Sequence, residues 1–91
     1  MQVKLYASFR QAAGTKMLEL DVSPGNTIRD VLLEITKRFP VLMKSIWKEQ
    51  GELTELVHVF VNGVNIRQKA GLDTLISAGD HVDIFPPLVG G

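Results

Sequence analysis

The chain has 91 residues, 45% apolar and 22% charged, with 10 Lys and Arg balanced by 10 Asp and Glu. That length suits one domain with one core, and a formal charge of zero leaves no electrostatic footprint for nucleic acid or an anionic membrane. There is no cysteine, which excludes a disulfide scaffold, a cysteine-based zinc site and a cysteine nucleophile. No apolar run approaches the ~18 residues of a membrane span; the chain opens directly on an alternating strand, so no signal peptide is expected and a cytoplasmic location is.

In chain order, Gln2 to Arg10 alternates. Val3, Leu5, Ala7 and Phe9 fall on one face, and Lys4, Tyr6, Ser8 and Arg10 on the other, which predicts a half-buried strand. Gly14 punctuates a connection, and Lys16 to Val22 alternates again, so the two runs predict an antiparallel hairpin. After the break at Ser23 to Asn26, Thr27 stands as an N-cap with Asp30 three residues on, a capping box with Asp in the usual Glu position. Ile28, Val31, Leu32, Ile35 and Phe39 follow at helical spacing, and Pro40 ends the helix. Leu42, Ile46 and Trp47 suit a short second helix ending near Gly51, with a loop to Glu55. Leu56 to Asn62 predicts a strand with Val57, Val59 and Val61 inward and His58, Phe60 and Asn62 outward. Asn62-Gly63 predicts a type I′ turn, because both central residues need φ > 0, and Val64 to Arg67 is the return strand. Gln68 to Ile76 holds a turn or short 3₁₀ segment with Leu72 and Leu75 inward. After the turn Ser77 to Asp80, which Asp80 serves, the last strand runs from His81 to Phe85, with Val82 and Ile84 on one face.

Two hairpins thus flank one main helix, and the last strand fits beside the first, in parallel. This predicts an α+β fold of the β-grasp type, a mixed sheet of about five strands gripping one helix. Residues 1–85 form the domain, and 86–91 an extended tail, Pro86-Pro87-Leu88-Val89-Gly90-Gly91. The prolines fix φ and lack N–H donors, which keeps the base of the tail out of the sheet. Glycine is common, so a Gly-Gly ending gains meaning only from a fold that presents it. Here it is the thinnest peptide that can be threaded into another protein's active site.

Phe60 and Phe85 are expected to point away from the helix on adjacent strands. With Pro86, Pro87, Leu88 and Val89 they would form an apolar patch for a protein partner. His58 and His81 face the same side, which leaves open that they lie near each other; a two-His metal site needs further ligands, for which Asp83 is the one obvious candidate, and they are expected as surface histidines with no metal site. Arg10, Arg67 and Lys69 are expected as solvated charges that can meet acidic groups of a partner.

The opening Leu5-Tyr6-Ala7-Ser8-Phe9-Arg10-Gln11-Ala12-Ala13-Gly14, the turn Val61-Asn62-Gly63, and the run from Ala78-Gly79-Asp80 through Pro86-Pro87 to Gly90-Gly91 together resemble the MoaD/ThiS-type ubiquitin-like sulfur carriers. Within that family the resemblance is to the small subunit of molybdopterin synthase. It spans essentially the whole chain, departing from the shortest members at Val41 to Glu55, a somewhat longer segment that carries Trp47. The resemblance implies that an E1-like adenylyltransferase of the MoeB/ThiF type uses ATP, with Mg, to adenylate the carboxylate of Gly91, Gly90 giving access. A sulfur donor such as a cysteine desulfurase or rhodanese then displaces AMP and leaves a thiocarboxylate. In molybdenum cofactor biosynthesis the sulfur goes to a pterin held by the large synthase subunit, of the MoaE type; related carriers serve thiamin, cysteine or tRNA thiolation. A carboxylate is a poor electrophile, and adenylation supplies the leaving group. The chain would then be a non-catalytic carrier and cosubstrate that binds no cofactor of its own. A ubiquitin-like modifier joined through Gly91 to lysines uses the same acyl-adenylate and is the alternative, although ubiquitin-type tails often carry Arg before the glycines. A β-grasp interaction module with an inert terminus is the third reading.

Overall fold

Strand β1 (Gln2–Leu5) opens the computed structural model, which describes residues 1–87. It alternates as expected, with Val3 and Leu5 buried, but it stops short of the expected boundary: after Tyr6 the chain enters helix α1 (Ala7–Ala13). The pattern is degenerate. Val3, Leu5, Ala7 and Phe9 alternate, yet Leu5, Phe9 and Ala13 also recur every four residues, which is helical spacing. Phe9 is buried either way, and Ala12 and Ala13 tip the balance as strong helix formers. Gly14, at φ 74°, closes the helix by donating its N–H to the Arg10 carbonyl at 2.9 Å. Ala7 itself has φ 49°, a left-handed conformation unusual for a residue with a Cβ.

Strand β2 (Met17–Glu19) is shorter than the alternating run that predicts it, and pairs antiparallel with β1. Helix α2 (Ile28–Arg38) starts where expected. The Asp30 carboxylate accepts from the Thr27 N–H at 2.9 Å, closing the capping box. Asp30 in the first turn and Lys37 and Arg38 in the last suit the helix dipole. Ile28, Val31, Leu32 and Ile35 form the buried stripe. A 3₁₀ turn at Pro40–Leu42 leads into helix α3 (Met43–Ile46), which buries Leu42 and Ile46 as expected. Trp47 is half-buried, its indole N–H donating to Thr36 Oγ1 at 3.4 Å, so this segment packs on the helix side of the molecule.

Strands β3 (His58–Val61) and β4 (Val64–Asn65) form the second hairpin. Its turn has φ 50° at Asn62 and 83° at Gly63, the two positive values predicted. Leu75 does not pack inward: it is 69% exposed, while Thr74 and Ile76 are buried. The reason is an antiparallel bridge between Thr27 and Leu75, in which Ile28 N–H donates to Thr74 O and Ile76 N–H to Asn26 O. In extended chain, neighbours of an outward residue face inward.

Strand β5 (His81–Phe85) completes a five-stranded sheet in the order β2-β1-β5-β3-β4. It runs parallel to β1 and antiparallel to β3. Val3, Leu5, Val59, Val61, Val82 and Ile84 face α2 and form the core with it. This is the expected β-grasp, and it holds β5 between two partners at the middle of the sheet.

Candidate protein-docking site

The face of the sheet opposite α2 carries the candidate site. Cross-strand register decides which side chains meet there. Phe85 pairs with His58, and Phe60 with Asp83, one step along the same face. The Phe60 and Phe85 rings lie 5.6 Å apart, edge to face. Tyr6, just beyond β1, stacks on the other side of Phe85 with centroids 4.1 Å apart and planes at 17°. Phe85 is therefore clamped between two aromatic rings, an arrangement worth about 0.5–1.5 kcal/mol per pair beyond burial. Phe60, Phe85 and Tyr6 are each half-buried.

Around them runs an open groove of about 740 Å³, lined by Tyr6, Ala7, Ser8, His58, Phe60, Asn65, Phe85, Pro86 and Pro87. Pro86 is buried and Pro87 half-buried. Among the described residues, none of 41–55 lines the groove, so that long segment does not cover the aromatic face. The expected positions Leu88, Val89, Gly90 and Gly91 lie outside the described residues.

Polar groups fix the Tyr6 ring. Its hydroxyl donates to Asp83 Oδ1 at 2.9 Å. Burial first, then this bond and the Asp83 charge, push the phenol above its ordinary pKa, with Arg10 opposing. Tyr6 thus stays a protonated donor at neutral pH. Lys4 Nζ sits 5.2 Å from the centre of the ring and the Arg10 guanidinium carbon 5.7 Å; Arg10 Nε also donates to Leu5 O at 3.2 Å. On the opposite wall, an Arg67 guanidinium nitrogen lies 3.3 Å from His58 Nδ1 and another donates to Thr54 O at 3.2 Å.

His58 and His81 share a face and are both exposed, as expected, but they are not neighbours. His58 pairs with Phe85 at one end of β5, and His81 is at the other end, four residues away, which is about 13 Å of extended chain. Sharing a face is legible from parity, but the register is not. Among the described residues no cluster of three His, Cys, Asp or Glu side chains is placed to hold a metal. Asp80 serves its turn as expected. Its carboxylate accepts from Asn62 Nδ2 at 3.0 Å and from the Ser77 N–H at 2.7 Å. The first of these, then the second, holds its carboxyl below the usual carboxylate range.

Tyr6, His58 and Asn65 join Phe60 and Phe85 in the site without having been expected there. The signal for Tyr6 is present in the sequence, since it shares parity with Lys4, and the parallel pairing of β1 with β5 sets that face beside Phe85.

A five-stranded β-grasp sheet whose central strand ends in an exposed aromatic groove and two prolines defines the class: a ubiquitin-like β-grasp protein. A family model described as the ThiS family matches residues 3–91. The chain belongs to this family, which holds ubiquitin-like modifiers and sulfur carriers. It is 32% identical to small archaeal modifier protein 1 of Haloferax volcanii over 91 residues, 100% of both chains. A crystal structure of that protein matches with TM-score 0.87, covering 100% of this chain and 98% of that one. The solution structure of small archaeal modifier protein 1 from Methanosarcina acetivorans matches with TM-score 0.85 at 38% identity, covering 99% of this chain and 94% of that one. Sulfur carrier protein CysO of Mycobacterium tuberculosis is 29% identical over 69 residues, 74% of each chain.

Proposed function

We propose that this chain is a sulfur carrier loaded at Gly91. An E1-like adenylyltransferase transfers AMP from ATP to the carboxylate with release of pyrophosphate. The terminal sulfur of a persulfide donor attacks the carbonyl carbon and AMP leaves, giving an acyl disulfide; a thiol then cleaves the S–S bond, forming a disulfide with the donor's remaining sulfur and releasing the thiocarboxylate that a second partner consumes. The observation that carries this reading is the position of β5. It is locked on both sides by β1 and β3 and delivers Pro86 and Pro87 to the rim of an exposed aromatic groove. A partner that grips Tyr6, Phe60 and Phe85 therefore holds the base of the tail at a set distance from its own active site. Gly90 and Gly91 then allow close backbone approach to a nucleotide phosphate. The adenylation chemistry, ATP and Mg included, belongs to that partner. The acceptor branch we favour is molybdopterin synthesis with a MoaE-type large subunit, on the strength of the motif from Gly79-Asp80 to Pro86-Pro87.

A second reading is supported by two of the relatives aligned over the whole chain, which are named modifier proteins, beside a third of the same span named a putative sulfur carrier protein. In it the same activated Gly91 is attacked by a lysine amine of another protein, forming an isopeptide bond. The two readings part after adenylation. Intact-mass measurement of the protein from its own host, with fragmentation of the C-terminal peptide, separates them. Sulfur in place of one terminal oxygen at Gly91 is the expected result. Gly91 recovered mainly in isopeptide linkage supports the modifier, and no adenylation by the host's E1-like enzyme with ATP and a sulfur source rejects both.

A further inference from the structure

The chain has no net charge, yet the groove is bordered by cations on both walls. Lys4 and Arg10 flank Tyr6 on one side, and Arg67 stands against His58 on the other. The carboxylate on this part of the sheet face is Asp83, which accepts the Tyr6 hydroxyl and stands opposite Lys4, so it offsets one of these three cations and leaves an excess of positive charge. Glu55, an acid that acts on Arg67's side of the molecule, is engaged by Lys48. Among the described residues none of Lys4, Arg10 and Arg67 takes part in an ion pair, whereas Arg29, Arg38 and Lys48 do. The compensating acids lie elsewhere: Asp21, Asp30 and Glu34 line the cleft between β2 and α2.

We infer that the groove is matched to a protein partner whose contact surface presents an apolar side chain ringed by Asp and Glu carboxylates. This rests on the proposed reading, in which the first such partner is the E1-like enzyme. The apolar side chain seats against Phe60 and Phe85. The carboxylates meet Lys4, Arg10 and Arg67, which lie on both sides of the rings and so fix orientation as well as attraction. Charges at the rim of an interface act mainly on association rate and its salt dependence. Over the ~8 Å screening length of physiological salt they reach little beyond contact. Apolar burial supplies the affinity, and the cationic border selects the partner.

The test uses the full chain and the host's E1-like enzyme. Two quantities are followed from low to high NaCl: direct binding of carrier to enzyme, and ATP–pyrophosphate exchange as a function of carrier concentration. For the wild type, Kd and KM rise with salt. For the Lys4→Glu/Arg67→Glu double variant, both are about tenfold higher than wild type at low salt, the salt dependence is flattened or reversed, and kcat at saturation is kept. Arg10, which bonds the Leu5 carbonyl, is left in place, and thermal melts of both variants check that loss of the Arg67 bond to Thr54 O leaves the fold intact. Lys4→Gln/Arg67→Gln is the second variant. It avoids the repulsion that a carboxylate placed opposite Asp83 would add to the fold, and it gives an intermediate shift. Equal Kd and equal salt dependence for wild type and both variants, with normal exchange, would overturn the charged border and leave the carrier reading standing. Salt-sensitive binding weakened by the variants, without any exchange by the wild type, would sustain the border and overturn the carrier reading.

Discussion

Phe85 joins the sheet to the tail. It pairs with His58 on β3, and its ring stacks on Tyr6 and meets the edge of Phe60, so two residues distant in sequence hold one ring. Phe85→Asp is expected to cost about 1–3 kcal/mol of stability through lost burial and stacking. It should leave the far-ultraviolet circular dichroism intact and weaken partner binding at least about tenfold, as loss of an aromatic hot spot does. Phe60→Asp should do the same with a smaller loss of stability, since its ring makes one aromatic contact; titration calorimetry with the E1-like enzyme reads both. Asp80 gives a prediction in pH. Hydrogen bonds from Asn62 and then Ser77 depress its carboxyl in the folded state. A depressed acid contributes stability above its unfolded pKa and loses it as pH falls through the folded value. The wild type should therefore lose Tm on acidification below about pH 4 more steeply than Asp80→Asn, while the variant is less stable at neutral pH. Parallel thermal melts from pH 7 to pH 2 compare the slopes.

Helix α2 shows what is legible locally. Its cap, its apolar stripe and its stop all lie in consecutive residues, from Thr27 to Pro40, and each appears where the spacing puts it. Asp30→Ala removes the acceptor of the Thr27 N–H and should cost about 1 kcal/mol, measured by urea denaturation. The Asn62-Gly63 turn and β5 are equally legible, because turn chemistry and strand parity are local. Helix α1 is not. Phe9 satisfies a strand and a helix at once, and the choice is made by the start of α1 at Ala7 and the Gly14 cap. Leu75 defeats the pattern for a related reason: its facing is set by a bridge to Thr27, a residue 48 positions earlier in the chain. The pairing of Phe60 with Phe85 is legible from parity plus topology. Tyr6 is hidden because its run reads as one strand, on which it is one polar-face residue among several. The separation of His58 from His81 depends on the register between β3 and β5, which no local pattern encodes.

At the scale of the molecule, the proposed function gives body and terminus separate duties. The core of β1, β3, β5 and α2 is complete within the described residues. Deleting Gly90 and Gly91 is therefore expected to leave Tm unchanged and to abolish adenylation, measured by pyrophosphate exchange; an unaltered exchange rate would mean that the terminus is inert. The same division places Trp47, with its bond to Thr36, on the side away from the groove. Its fluorescence should follow unfolding and respond weakly to docking.

The central place of β5 has a consequence for synthesis. The ribosome makes β1 first, yet the inner edge of β1 has no partner until His81 to Phe85 has emerged. Contacts of such sequence separation close late and slow folding. The two hairpins and α2 can form as translation proceeds, but the sheet that unites them waits for the strand that leads into the tail. A nascent or broken chain that stops before Phe85 offers neither a closed sheet nor the aromatic clamp. On the proposed reading, recognition of the folded groove by a partner would then also check that translation has run through to the base of the tail.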